Sequence, residues 1–112
     1  MAVRSAVLAH GQAVLGANGN VTLATVPAGE TWIVKSVVIF IQAAGAPAEV
    51  RYGIDSAGVR VDLLRAAAAV LNDLLRIGQE DWHVAAAGAA LRIVNPGGAV
   101  TVRYHVSGAK LV

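Results

Sequence analysis

Residues 100–106 read VTVRYHV, and this stretch decides the fold class. Its even positions hold valine or tyrosine, whereas its odd positions hold threonine, arginine and histidine. A period of two is typical of a β-strand with one buried face and one wetter face. Residues 48–54, AEVRYGI, alternate in the same way, so the pattern predicts strands of an antiparallel sheet.

A further alternating segment covers residues 59–63. Val59, Val61 and Leu63 are expected to face the core, and the charged residues between them are expected to face solvent. The sequence DSAG, residues 55–58, separates this segment from the preceding one. Because Asp, Ser and Gly are favoured in tight turns, we predict a β-hairpin here.

The segment WIVKSVVIFI, residues 32–41, has a different pattern. Both of its alternating sets are apolar, except where Lys35 and Ser36 interrupt them. A strand that is covered on both faces has such a sequence. The second cover is then either another part of the fold or a neighbouring subunit.

The chain as a whole has the length and composition of a single all-β domain. It contains 112 residues, and its many valines are separated by glycine, proline and asparagine. The strand-like segments recur at intervals of about 8–12 residues, as in sandwiches. We predict an antiparallel β-sandwich or jelly-roll of about eight strands. Residues 1–19 are expected to form an N-terminal arm or edge strand, and residues 20–112 the sandwich domain.

Residues 65–76, RAAAAVLNDLLR, are the exception to the strand pattern. Alanine and leucine are strong helix formers, so one short helix near residues 66–72 is an option. The other option is a strand that ends near Ala67, a turn at Asn72 and Asp73, and a new strand from Leu74. We favour the second option because no N-cap residue precedes the alanines and the segment is short for a helix.

The composition excludes several classes of protein. Hydrophobic residues make up 56% of the chain, which is incompatible with intrinsic disorder. Charged residues make up 14%, roughly half the share in a typical soluble domain. No apolar run reaches the ~20 residues of a membrane-spanning helix, and the run after Arg4 ends at His10, too early for a signal peptide. The apolar surplus indicates a folded surface that a partner covers.

The sequence contains no convincing catalytic or metal-binding constellation. It has no cysteine, no phosphate-binding loop and no nucleophile-elbow motif. The DSAG turn resembles the catalytic turn of aspartic proteases, but an additional alanine separates its serine from its glycine. Asp81 and His83 would share one face of a strand, yet no third ligand or orienting group is near them in the sequence. We therefore expect no enzyme activity, no metal and no cofactor.

The basic residues are scattered along the chain and give a net charge of only +2. Arg51, Arg60, Arg92 and Arg103 are expected at outward positions of separate strands. They either form a basic face or pair with acidic residues such as Glu49 on neighbouring strands. We favour ion pairing over nucleic-acid binding, because no aromatic residues alternate with the arginines as base stacking would require. A protein partner for the arginines stays open.

The segment VTLATVPAGETWIVKSVVIF, Val21 to Phe40, resembles the opening of many small structural proteins of tailed-bacteriophage particles. In those proteins a short strand leads into a TVPAG turn and then into a long apolar strand that contains a lysine. The later strands and turns follow a similar order, so the resemblance covers roughly residues 21–108, with a departure at residues 65–76. It implies a β-sandwich virion component, such as a capsid decoration (cement) protein or a tail or fibre subunit.

On this resemblance we expect a capsid decoration subunit, located in the virion, that binds itself as a homo-oligomer and binds other virion proteins such as the major capsid protein. A tail or fibre subunit is the first alternative, and a carbohydrate-binding sandwich module that presents a tryptophan to a sugar ring is the second. We expect no direct contact with nucleic acid or with a membrane. The candidate interface residues are all apolar: Val7, Leu8, Trp32, Val37, Ile39, Ile41, Trp82, Leu111 and Val112.

Overall fold

The computed structural model of the chain describes residues 3–44, 49–66, 69–77 and 82–112. Within these ranges the chain forms nine β-strands, which make two antiparallel sheets packed face to face. The predicted all-β sandwich is therefore confirmed. The same ranges contain no helix that is long and apolar enough to span a bilayer.

The strands have the following bounds: β1 Val3–Leu15, β2 Asn20–Thr25, β3 Thr31–Ala44, β4 Val50–Ser56, β5 Val59–Ala66, β6 Leu74–Ile77, β7 His83–Ala85, β8 Ala90–Val94 and β9 Val100–Leu111. The first sheet, called sheet A here, has the order β1-β9-β3-β6, and β7 also pairs with β3. The second, sheet B, has the order β2-β8-β4-β5. The N-terminal strand β1 lies at the edge of sheet A and is antiparallel to β9.

The path of the chain is that of a jelly-roll. Only β4 with β5 and β6 with β7 are consecutive strands of the same sheet, so every other connection crosses between the sheets. β7 pairs with residues 32–34 of β3 and β6 pairs with residues 37–40, so these two short strands share one strand position. The described strands thus fill the positions of a jelly-roll of about eight strands, in agreement with the predicted number.

The core lies between the sheets and is lined by one alternating set of each strand. In β3 the buried set changes parity between Val34 and Val37. A register shift between Val34 and Ser36 explains this change, because a β-bulge at Lys35 adds one residue to the strand. The buried residues of β3 are Trp32, Val34, Val37, Ile39 and Ile41.

The opposite face of β3 is less covered. Ile33, Val38 and Phe40 are half-buried, so residues 32–41 are not enclosed on both faces within this chain. β3 lies between β9 on one side and β6 and β7 on the other. Neighbouring side chains of these strands therefore cover part of its outward residues, and the rest stays accessible.

Gly108 allows β9 to follow the bulge in β3. Val34 and Ser36 pair with Gly108 and Ser107 on either side of the bulge. A Cβ atom at position 108 would overlap the backbone oxygen of Ile33. Only glycine therefore permits the two central strands of sheet A to pair continuously here.

The predicted hairpin between β4 and β5 is confirmed. Ala57 and Gly58 form its two-residue loop, with φ angles of 52° and 80°. Both residues thus adopt the left-handed conformation that a type I′ turn requires. Ser56 and Val59 pair directly on either side of the loop.

The predicted burial of β5 is wrong. Val59, Val61 and Leu63 are 65%, 54% and 39% exposed. Val61 is paired with Ile54 and shares its inward face, but β5 is the edge of sheet B and packs little against sheet A. Leu63 lies in a register shift next to Tyr52, which changes the parity of the strand.

The described residues of 65–76, namely 65–66 and 69–76, show the end of a strand, a turn and a new strand, as we expected in preference to a helix. β5 continues to Ala66 and β6 begins at Leu74. Asn72 has a φ of 65° in the turn between them, a conformation that asparagine tolerates well. Ala67, the expected end of the first strand, lies outside the described residues.

Two similar turns pair with each other where β2 ends and β8 begins. In residues 27–30 and in residues 86–89 the fourth N–H donates to the first carbonyl, at 3.2 and 3.0 Å. The third residue of each is a glycine with positive φ, Gly29 or Gly88, as in a type II turn. The backbone of Val26 connects them through hydrogen bonds of 2.9 Å to the second turn. The TVPAG segment therefore ties the β2–β3 connection to the β7–β8 connection.

Asn95 is fully buried and joins three connections at the opposite end of β2 and β8. Its Oδ1 accepts hydrogen bonds from the N–H groups of Glu49 at 3.1 Å and Gly97 at 3.0 Å. Its Nδ2 donates to the carbonyls of Gly16 at 3.4 Å and Gly98. One side chain therefore satisfies groups in the β1–β2 loop, in the β8–β9 loop and before β4.

We expect Asn95→Ala to lower the free energy of unfolding by about 3 kcal/mol, because it leaves several backbone groups without a partner. Urea denaturation followed by circular dichroism measures this loss. Asn20→Ala is the matched control, since Asn20 is exposed on β2, and it should cost less than about 0.5 kcal/mol. An equally small loss for both variants would contradict the role given to Asn95.

Candidate interaction surfaces

Five of the predicted interface residues lie inside the sandwich instead of on its surface. Each is at most 7% exposed, because each points from β1 or β3 toward sheet B. Their apolar character serves the core of this chain, and they are not accessible to a neighbouring chain in this structure. These residues are Leu8, Trp32, Val37, Ile39 and Ile41.

The two tryptophans differ sharply in exposure. Trp32 is 4% exposed and its Nε1 donates to Glu30 Oε1 at 3.1 Å, so it offers no free ring face to a sugar. Trp82 is 51% exposed, and Lys35 Nζ lies 4.5 Å from its ring centroid. The ring attracts this cation, which covers part of one face. A partner can therefore reach Trp82 but not Trp32.

The remaining predicted interface residues lie on β1 and at the end of β9. Val7 in β1 is 51% exposed, and Val112 at the chain end is 45% exposed. Leu111 is half-buried, because it pairs with Val3 on one side and Thr31 on the other. Val7, Val112 and part of Leu111 are thus open to a neighbouring molecule.

Several exposed apolar residues escape prediction from the sequence. Val3 and Val14 of β1 are 67% and 77% exposed, and Val84 of β7 is 63% exposed. Alternation in the sequence shows which residues share a face, but it does not show which strand lies at a sheet edge. The other exposed apolar residues outside the prediction are Val59, Val61, Leu63, Val70, Leu71 and Leu74.

The outer face of sheet B is covered by ion pairs. Arg51 and Arg65 stand directly opposite each other on β4 and β5, where like charges repel. Glu49 bridges them, since its carboxylate accepts hydrogen bonds from Arg51 Nε at 2.9 Å and from Arg65. These bonds, with that from Arg51 foremost, hold the pKa of the Glu49 carboxyl below its ordinary value. The other ion pairs on this sheet are Arg60–Asp62 and Arg92–Asp55.

Sheet A has the opposite character, because none of its described strands contains an acidic residue. The ion pairs found among the described residues all belong to the four arginines of sheet B. The expected pairing with acidic residues is therefore present for Arg51, Arg60 and Arg92, whereas Arg103 forms no ion pair within the described part of the chain. The basic residues on the strands of sheet A are Arg4, Lys35, Arg76, Arg103 and Lys110.

A polar contact crosses the core between the sheets. Tyr52 of β4 is fully buried, and its hydroxyl shares a hydrogen bond of 3.1 Å with Nε2 of His83 on β7. The two rings meet edge to face at 5.8 Å. Burial raises the pKa of the Tyr52 phenol above its ordinary value, so the group stays neutral at physiological pH. The contact is therefore a polar link within the core.

The acid expected beside His83, Asp81, lies outside the described residues. Among residues 3–44, 49–66, 69–77 and 82–112, no group of three His, Asp or Glu side chains is close enough to hold a metal ion.

Comparison with known proteins gives no family assignment. No protein-family model matches the chain, and no curated protein sequence matches it.

We expect Tyr52→Phe to make the stability less sensitive to alkaline pH. Below the ordinary tyrosine pKa of about 10, the variant should be about 1 kcal/mol less stable, because it lacks the hydrogen bond to His83. Above that pH, only the unfolded wild-type chain loses the phenol proton at this position. The wild-type free energy of unfolding should then fall relative to the variant's by up to about 1.4 kcal/mol per pH unit.

Urea denaturation of both proteins at several values between about pH 7 and pH 11 tests this expectation. The comparison cancels the titration of other groups, which the two proteins share. A stability difference that stays constant over this range would contradict it.

Proposed function

We propose that this protein is a structural subunit of a tailed-bacteriophage particle and that it decorates the capsid. There it binds copies of itself and other virion proteins. Its task is mechanical, because apolar surface buried between subunits stabilises the shell by about 25 cal/mol per Å². The proposal combines the resemblance of residues 21–40 with the character of the exposed surface.

The observation that supports this role most directly is the apolar edge of sheet A. β1 is 13 residues long and, among the described strands, pairs only with β9. Val3, Val7 and Val14 are exposed along it by 67%, 51% and 77%. Edges of this kind bind a strand of another chain, and soluble proteins usually protect them with charges. Arg4 is the one residue of β1 that carries a permanent charge. Association with another chain therefore accounts for this apolar edge better than a free monomer does.

The fold is compatible with the same role. Jelly-rolls occur in viral capsid proteins and also in lectins. This support is an analogy, since one fold serves many functions. The exposed edge supplies the independent physical argument.

A tail or fibre subunit is the alternative that the same surfaces support. It would use the same exposed edge for self-association, but at a different place in the particle. A carbohydrate-binding module is a third candidate, which rests on the half-exposed ring of Trp82. Binding on a glycan array that Trp82→Ala abolishes would favour that module over a structural subunit.

We expect this chain to be found on the capsid of the phage that encodes it. Immunogold labelling of intact particles locates it, and label on the tail would support the alternative. Capsids assembled without the chain should release their DNA at a lower temperature than complete capsids. Equal heat stability of the two would contradict a decorating role.

We expect Val7→Lys with Val14→Lys to weaken self-association of the purified protein about tenfold, because two charges would replace apolar contacts at the β1 edge. Sedimentation equilibrium measures the association constant. The matched control is Val70→Lys with Val84→Lys, since these valines are 58% and 63% exposed away from β1. Equal weakening in both double variants, or a wild-type protein that stays monomeric, would contradict association through β1.

A further inference from the structure

Two neighbouring rows of side chains cross the outer face of sheet A. Strand pairing places these four in one row: His10, His105, Val38 and Arg76. It places these four in the next row: Gln12, Arg103, Phe40 and Leu74. Residues that pair across strands share a face, and the alternate residues of these strands line the core. Both rows therefore face away from the core, and we call them the outer patch.

The outer patch has an apolar centre between polar and basic margins. Val38 and Phe40 are half-buried at its centre, and Leu74 beside them is 42% exposed. Exposed Arg103 stands on β9 between Gln12 and Phe40, and exposed Arg76 stands on β6 at the opposite margin. An apolar centre with a polar rim is the usual anatomy of a protein–protein interface.

The positive charge of the outer patch has no partner among the described residues. Arg76 and Arg103 form no ion pair there, whereas the arginines of sheet B are all paired. The acid nearest in sequence is Asp73, whose Oδ1 accepts a hydrogen bond from the backbone N–H of Leu74 at 3.0 Å. Within the described part of the chain, the guanidinium groups of Arg76 and Arg103 are thus available to carboxylates of another molecule.

We infer that the outer patch docks onto an acidic surface of a second, different protein. This inference deepens the proposed assembly function, on which it rests: the β1 edge binds copies of this chain, and the outer patch binds the other partner. Carboxylates of that partner would pair with Arg76 and Arg103, and its apolar side chains would contact Phe40 and Val38. Charge complementarity of this kind sets the orientation and speeds the encounter.

The chemistry of the patch disfavours two other occupants. A single-stranded nucleic acid needs successive large aromatic side chains for base stacking, and Phe40 is the sole phenylalanine, tyrosine or tryptophan in the two rows. Another copy of this chain would have to offer free carboxylates on one of its sheet faces, and the described strands of sheet A carry none. On the outer face of sheet B, however, Glu49, Asp55 and Asp62 already bind arginines.

The test is titration of the full chain into a fluorescent glutamate–tyrosine copolymer, which stands in for an acidic, partly apolar protein surface. We expect binding that weakens as salt screens the charges. Arg76→Gln with Arg103→Gln should weaken it about fivefold, the effect of two exposed ion pairs. The matched control is Arg60→Gln with Arg65→Gln, which makes the same charge change on sheet B and should leave binding unchanged.

Three results would overturn the inference. Equal loss of binding in both double variants would show that net charge alone attracts the copolymer. Equal affinity for polyglutamate would show that the apolar centre contributes nothing. Tighter binding of single-stranded DNA than of the copolymer would identify a nucleic-acid surface. Both arginine pairs are exposed, so we expect circular dichroism to show that the variants fold. The salt dependence and the polyglutamate comparison are measured on the wild-type chain and do not depend on the variants.

The copolymer experiment does not depend on where the chain lies in a particle. If the chain is present on capsids but does not bind the copolymer, the outer patch is refuted and the decorating role stands. If it binds the copolymer but is absent from phage particles, the decorating role is refuted, and the binding of acidic protein surfaces by the outer patch stands.

Discussion

The hydrogen bonds of the buried Asn95 side chain are the constraint on which the sandwich depends. In a jelly-roll most connections cross between the sheets, so backbone groups at the ends of the sandwich lose their ladder partners. An amide offers an acceptor and a donor at once, and Asn95 uses both to satisfy Glu49, Gly97 and Gly16. At the other end of β2 and β8, the backbone of Val26 joins two turns in an equivalent way. Hydrogen bonds thus connect the loops at both ends of β2 and β8.

The outer faces of the two sheets differ in how their charges are paired. On sheet B the opposed residues Arg51 and Arg65 would repel each other, and Glu49 converts that repulsion into a bridge. Sheet A has no acid on its described strands, and its arginines form no ion pair with any residue that the structure describes. This segregation explains how a chain with a net charge of only +2 presents two arginines, Arg76 and Arg103, without an ion-pair partner among the described residues on one outer face. Partner binding in our proposals follows from that face and from the β1 edge.

The chain has more apolar residues than one buried face per strand requires, and the exposed ones do not lie where residues 32–41 predict them. The inward set of β3 belongs to the core on both sides of the bulge at Lys35, which shifts the parity of the buried residues by one. The exposed surplus instead lies on strands at sheet edges, such as Val14 on β1 and Val61 on β5. In β3 both alternating sets are mostly apolar, so the sequence does not show the bulge, and no local pattern marks an edge strand. Candidate interface residues chosen by hydrophobicity alone therefore include core residues.

The sequence by itself determined the fold class, the hairpin at residues 55–58 and the strand–turn–strand form of residues 65–76. These features depend on local preferences: a period of two, turn residues with positive φ, and the absence of an N-cap. Tertiary structure alone decided the strand order, the bulges and the grouping of His105 and Arg103 with Phe40 on one face. These features depend on pairing between residues far apart in the chain, which a local pattern does not contain.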